Sequence, residues 1–127
     1  MLGRLTPNLM VSSVDDTIAF YVTVLGFTCL TTVPENDPYD WALLECDGVQ
    51  IMFQSQKSIT AEFPRLQEKP QHMSGTLYID CSDVQDRYNR YRDYAVVDLH
   101  DTFYGTKEFT IADINGYLLT FAQSISA

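Results

Sequence analysis

Basic residues are scarce in this chain. Its 127 residues include 8 Lys and Arg against 17 Asp and Glu, a formal net charge of −9. Nucleic acid is therefore not an expected partner, because neutralising phosphates needs clustered Lys and Arg. Cysteines are few and odd in number (Cys29, Cys46 and Cys81), and none forms a C-x-x-C pair. That spacing suggests neither a disulfide framework nor a zinc ribbon, and leaves reduced, buried thiols of a cytoplasmic protein as the simple reading. No apolar run approaches the length of a membrane span. Met1 to Leu5 has no long apolar region, so no signal peptide is expected. A nucleophile elbow, a P-loop, H-E-x-x-H and the dinucleotide glycine fingerprint are all missing.

What is present suits one domain over residues 1–127, with 46% hydrophobic residues to build a core. The acidic balance would favour a cationic ligand, and it would equally serve solubility alone. The main internal feature is a repeat. Trp41 to Phe53 superimposes without a gap on Phe109 to Phe121, an offset of 68, and Ser13-Val14-Asp15 with Tyr21 matches Asp83-Val84-Gln85 with Tyr91, an offset of 70. Each half, roughly 5–55 and 75–123, is near the lower size limit for folding alone. The halves are therefore expected to share a sheet or core, or to pair across a dimer.

Each half reads as β-α-β-β-β. Leu5 to Val11 predicts a first strand. Ser12 or Ser13 can cap a helix from Val14, whose apolar residues Val14, Ile18, Tyr21, Val22 and Leu25 recur at helical spacing until Gly26. Phe27 to Val33 follows as a strand. Trp41 to Cys46 and Val49 to Ser55 flank Asp47-Gly48, a type I′ hairpin signal. The linker 56–74 is polar, contains Pro64 and Pro70, and has room for one or two helical turns. Strands at Thr76–Cys81 and Ala95–Asp101 then surround a helix begun by Ser82 or Asp83 and carrying Val84, Tyr88, Tyr91 and Ala95. Lys107–Ala112 and Tyr117–Gln123 form a hairpin around Asn115-Gly116, read as a second type I′ turn.

These features resemble the vicinal oxygen chelate (VOC) superfamily, the glyoxalase/bleomycin resistance/dioxygenase group. The resemblance is carried by Thr6-Pro7-Asn8-Leu9, by Ile18-Ala19-Phe20-Tyr21 with Leu25-Gly26-Phe27, and by Glu108-Phe109 through Asp113 and Gly116 to Phe121. It implies an α+β fold of tandem β-α-β-β-β repeats, with two curled mixed sheets around a concave site, commonly in a homodimer. Enzymes of the superfamily hold a divalent metal with His, Gln or Glu from the first and last strands of each half. By position those ligands fall here at Thr6, Met52, Thr76 and Thr120. Neutral hydroxyls and a thioether do not replace imidazole and carboxylate at such an ion. The expectation is therefore no metal and no cofactor, and a likeness to the bleomycin resistance branch, which sequesters a drug unchanged and so confers antibiotic resistance.

Strand alternation lists the face such a site would use. With Thr6, Met52, Thr76 and Thr120 on it, residues two away follow: Asn8, Met10, Gln50, Gln54, Tyr78, Asp80, Leu118 and Ala122. Pairing across the two expected two-residue turns adds Trp41, Leu43 and Glu45, then Phe109, Ile111 and Asp113. The candidate ligand-binding set is Asn8, Trp41, Glu45, Met52, Gln54, Tyr78, Asp80, Phe109 and Thr120. It contains no basic residue and mixes aromatics with carboxylates, which suits a flat cationic ligand; packing and solvated strand edges account for the same residues without a ligand. His72 and His100 are read as surface histidines, although His100 beside Asp101 has the form of an oriented base. Two other functions remain open: an enzyme, lyase- or dioxygenase-like, with a non-standard site drawn from Glu45, Asp80, Asp113 or His100, and a regulatory module with no small ligand.

Overall fold

The computed structural model describes residues 1–68 and 75–125. His72 and the end of the 56–74 linker lie outside the described residues. The chain forms two compact units, Met1–His72 and Met73–Ala127. The first contains β1 (Asn8–Val11), α1 (Val14–Phe20), β2 (Thr28–Val33), β3 (Trp41–Cys46), β4 (Val49–Ser55) and α2 (Gln56–Glu62). The second contains β5 (Thr76–Asp80), α3 (Val84–Tyr91), β6 (Ala95–Asp101), β7 (Thr106–Ala112) and β8 (Leu118–Ser124). Each unit has one four-stranded sheet, in the orders β1-β4-β3-β2 and β5-β8-β7-β6. Both sheets are mixed: the first and last strands of each repeat pair in parallel and the other pairs are antiparallel. The fold is thus the α+β arrangement of tandem β-α-β-β-β repeats.

Local chemistry explains the helices. The Ser13 hydroxyl accepts from Asp16 N at 3.0 Å and starts α1, with Asp15 and Asp16 favourable in its first turn. The helix then widens into a π-turn over Tyr21–Leu25 and ends at Gly26, whose φ of 80° is the left-handed conformation glycine tolerates. Both Tyr21 and Leu25 are fully buried, and the Tyr21 ring meets Phe27 and Phe53. At α3 the expected cap is replaced. The Asp83 carboxylate holds Arg87 at 2.8 Å, and Val84 N donates instead to Gln123 Oε1 of β8 at 3.0 Å. Val11, Leu44, Ile51 and Phe53 fill the core face of the first sheet, and Phe109, Ile111, Leu119 and Phe121 that of the second.

The two hairpins differ. Asp47 (φ 50°) and Gly48 (φ 86°) form the predicted two-residue turn between paired Cys46 and Val49. The second loop is one residue longer. Asp113 N donates to Tyr117 O at 2.9 Å, which leaves Ile114-Asn115-Gly116 as the connection, with only Gly116 (φ 85°) at positive φ. The cause is Asp113, whose Oδ1 accepts from Asn115 N at 2.8 Å and Tyr117 N at 2.9 Å. This folds the segment into a local turn ahead of the glycine, the three-residue hairpin arrangement. The expected two-residue turn at Asn115-Gly116 is therefore corrected, and the register of β7 shifts by one.

Candidate functional site

A one-residue shift exchanges the faces of a strand. Phe109 pairs with Phe121 and not with the face of Thr120. It is 0% exposed, stacks on Phe121 at 5.3 Å and meets the Tyr88 ring edge-on at 5.2 Å. The placement of Phe109 on the ligand face is thus overturned, and with it that of Ile111, which is buried in the same core. Asp113, 5% exposed, is committed to the loop it closes. The residues that take the face are Glu108, Thr110 and Ala112, which pair with Ala122, Thr120 and Leu118. Glu108 was missed by sequence reasoning. The available signal was Phe121, already assigned to the core, whose natural cross-strand partner is another aromatic.

In the first unit, the face opposite α1 carries two rows. Asn8, Met52 and Leu43 form one, and Met10, Gln54 and Trp41 the other, with Glu45 and Gln50 alongside. Asn8 Nδ2 donates to Gln54 Oε1 at 2.8 Å, and Gln50 Nε2 to Glu45 Oε2 at 2.7 Å. Gln54 Nε2 donates to Ser58 Oγ at 2.9 Å and Glu62 Oε1 at 3.0 Å. Those bonds seat α2 on this face, so the start of the 56–74 linker covers Gln54, which is 6% exposed. Asn8, Trp41, Glu45, Met52 and Gln54 therefore do share one face. Thr6 precedes β1, which begins at Asn8 and not at Leu5.

In the second unit, the face opposite α3 has the rows Tyr78–Thr120–Thr110–Val97 and Asp80–Ala122–Glu108–His100. Thr110 and Thr120 share a hydroxyl hydrogen bond of 2.7 Å. Glu108 is the centre of this surface. It is 6% exposed, and its Oε2 accepts from Tyr78 OH at 2.7 Å, Thr106 Oγ1 at 2.7 Å and Tyr104 OH at 2.9 Å. Thr106 in turn shares a 2.8 Å hydroxyl contact with Thr102. Burial pushes the Glu108 carboxyl up, but the hydrogen bonds from Tyr78, Thr106 and Tyr104, with the field of His100, outweigh it and the net shift is down. The Tyr78 phenol is pushed up to about 12, first by its bond to Glu108 and then by desolvation and the Glu108 charge. Tyr104 moves up for the same leading reason. Glu108 is thus held ionised and both phenols neutral at neutral pH.

The fold implies a divalent metal, and the residues do not fit one. Thr120 spends its hydroxyl on Thr110, Thr76 and Met52 offer no charge, and no group of three or more His, Cys, Asp or Glu among the described residues is placed to hold a metal. The three thiols are free, and burial raises Cys29 and Cys81.

Paired β-α-β-β-β units, each with a helix-covered core face and a polar opposite face, define the class of protein. The Glyoxalase/Bleomycin resistance protein/Dioxygenase superfamily profile matches residues 2–121, and the chain belongs to that superfamily. Solved structures share the fold at low identity. TioX from Micromonospora sp. ML1 is 20% identical with a TM-score of 0.75, covering 96% of this chain and 98% of that one. A glyoxalase/bleomycin resistance protein/dioxygenase from Nocardioides is 18% identical with a TM-score of 0.77, over 100% and 88%. A family enzyme from Burkholderia phytofirmans PsJN is 14% identical with a TM-score of 0.75, over 94% and 96%. No curated protein matches the chain significantly. Among the described residues, no helix is long and apolar enough to cross a membrane.

Proposed function

We propose that this chain is a metal-independent small-molecule binding protein that sequesters a cationic, aromatic compound of the bleomycin type. The observation that carries the reading is Glu108, an ionised carboxylate on an aromatic-flanked sheet face, fixed by three hydroxyls. A charge so placed attracts a cation, and the Tyr78 and Tyr104 rings beside it offer stacking surface. The same groups suit proton transfer poorly. Glu108 and its two phenols titrate far from neutrality in opposite directions, whereas a general acid or base works best near the operating pH.

The test is a calorimetric titration of bleomycin into chelator-treated protein, with Glu108→Gln alongside. Saturable binding near one ligand per chain is expected, weakened about tenfold or more by loss of the Glu108 charge. No heat with the wild-type protein, at low or moderate salt, removes bleomycin as the ligand.

A further inference from the structure

We propose that Glu108 is a one-oxygen anchor for the ammonium group of an amine ligand, and that it discriminates against guanidinium and amidinium groups. The inference deepens the binding reading of this face and rests on it. All three hydrogen bonds to Glu108 end on Oε2. Oε1 receives none from the described residues, and it is not fully sealed, since Asn8 Oδ1 is the one fully buried side-chain oxygen or nitrogen without a partner among them. A carboxylate has about four lone-pair sites over two oxygens. Here one oxygen carries the bonds of Tyr78, Tyr104 and Thr106, and the other carries none from the described residues.

That asymmetry selects by geometry. A guanidinium or amidinium presents a planar fork that gains most from bonding both oxygens at once. An ammonium is a compact charge that needs one good acceptor. A quaternary ammonium has no N–H to donate, and keeps only the charge and ring contacts. Tyr78 and Tyr104, 53% and 56% exposed, offer apolar ring surface beside the Glu108 carboxylate for the carbon attached to nitrogen. Ala122, 2% exposed, separates Glu108 from Asp80 in the same cross-strand row and puts no bulk there. The ligand class is therefore a primary or secondary amine carried on an apolar or aromatic body.

The test uses four probes on the full chain: benzylamine, benzamidine, benzyltrimethylammonium and benzyl alcohol. Amide shifts of β7 are followed by NMR through each titration. Benzylamine should move the Glu108 region saturably, with benzamidine and the quaternary probe at least about tenfold weaker and the alcohol silent. Glu108→Gln should abolish the benzylamine shifts while the remaining spectrum stays folded. The double variant Tyr78→Phe, Tyr104→Phe removes two of the three donors on Oε2, leaving only Thr106, and should raise benzamidine binding toward that of benzylamine. Benzamidine binding the wild-type chain as well as benzylamine does, or benzylamine shifts that survive Glu108→Gln, overturns the proposal. The two readings fail separately. Bleomycin that binds without competition from benzylamine sinks the anchor and keeps sequestration, whereas benzylamine at Glu108 with no bleomycin binding keeps the anchor and removes that drug.

Discussion

Phe109 and Trp41 occupy equivalent positions in the sequences of the two repeats, yet they do different jobs. Phe109 is sealed between Tyr88, Tyr91 and Phe121. Truncation to Ala leaves a cavity in a packed core and should cost about 3–5 kcal/mol in a urea melt. Trp41 is only half-buried, so Trp41→Ala should cost far less stability. Equal losses from both would place Trp41 in the core as well. Glu108 gives a pH signature at the same scale. Its carboxyl is shifted down in the folded chain, so its stabilisation is complete above the unfolded value of about 4.3 and fades as pH falls through the folded value. Against Glu108→Gln, wild type should be about 1–2 kcal/mol more stable at neutral pH, with the gap closing in acid. A gap that persists well below the ordinary carboxylate range would mean the hydroxyls do not favour the charged form.

At the scale of elements, the hairpins divide what the sequence discloses from what it hides. Asp47-Gly48 adopts the turn its composition predicts, and the faces of β3 and β4 follow correctly from it: Trp41 opposite Gln54, Leu43 opposite Met52. Asn115-Gly116 carries the same signal but sits behind Asp113, whose side chain captures two backbone N–H groups and lengthens the loop. Composition does not show which donor a carboxylate takes, so β7 was read one residue out and Glu108 was hidden behind Phe109. The strand β8, tied to β5 by its own alternation, was read correctly. The same loops yield a prediction. A Cβ at Gly48 or Gly116 would meet nothing within 4 Å, so substitution by Ala costs only the backbone conformation, φ 86° and 85°. Each should lose about 1–2 kcal/mol. Asp113→Ala should lose a similar amount, about 1–2 kcal/mol, by releasing Asn115 N and Tyr117 N. A Gly116→Ala protein as stable as wild type would show that the loop relaxes to another turn.

For the molecule as a whole, charge is what separates the two kinds of binding. The donor set at Thr6, Met52, Thr76 and Thr120 gives a divalent ion nothing to hold, so chelator treatment should leave the melting temperature and ligand affinity unchanged. The charge of −9 acts differently from the Glu108 contact. The net field reaches across solvent and is cut off by salt, with a screening length of about 30 Å at 0.01 M that falls to about 10 Å at 0.1 M. A short contact at Glu108 is screened much less. Long-range field governs encounter, and close contacts govern escape. Raising salt over that range should therefore slow association of a cationic ligand severalfold while its dissociation rate changes little. Glu108→Gln should do the reverse, speeding dissociation with a small effect on association. Stopped-flow measurement on the two proteins at both salts separates these terms. Association that ignores salt would leave the acidic balance to solubility alone.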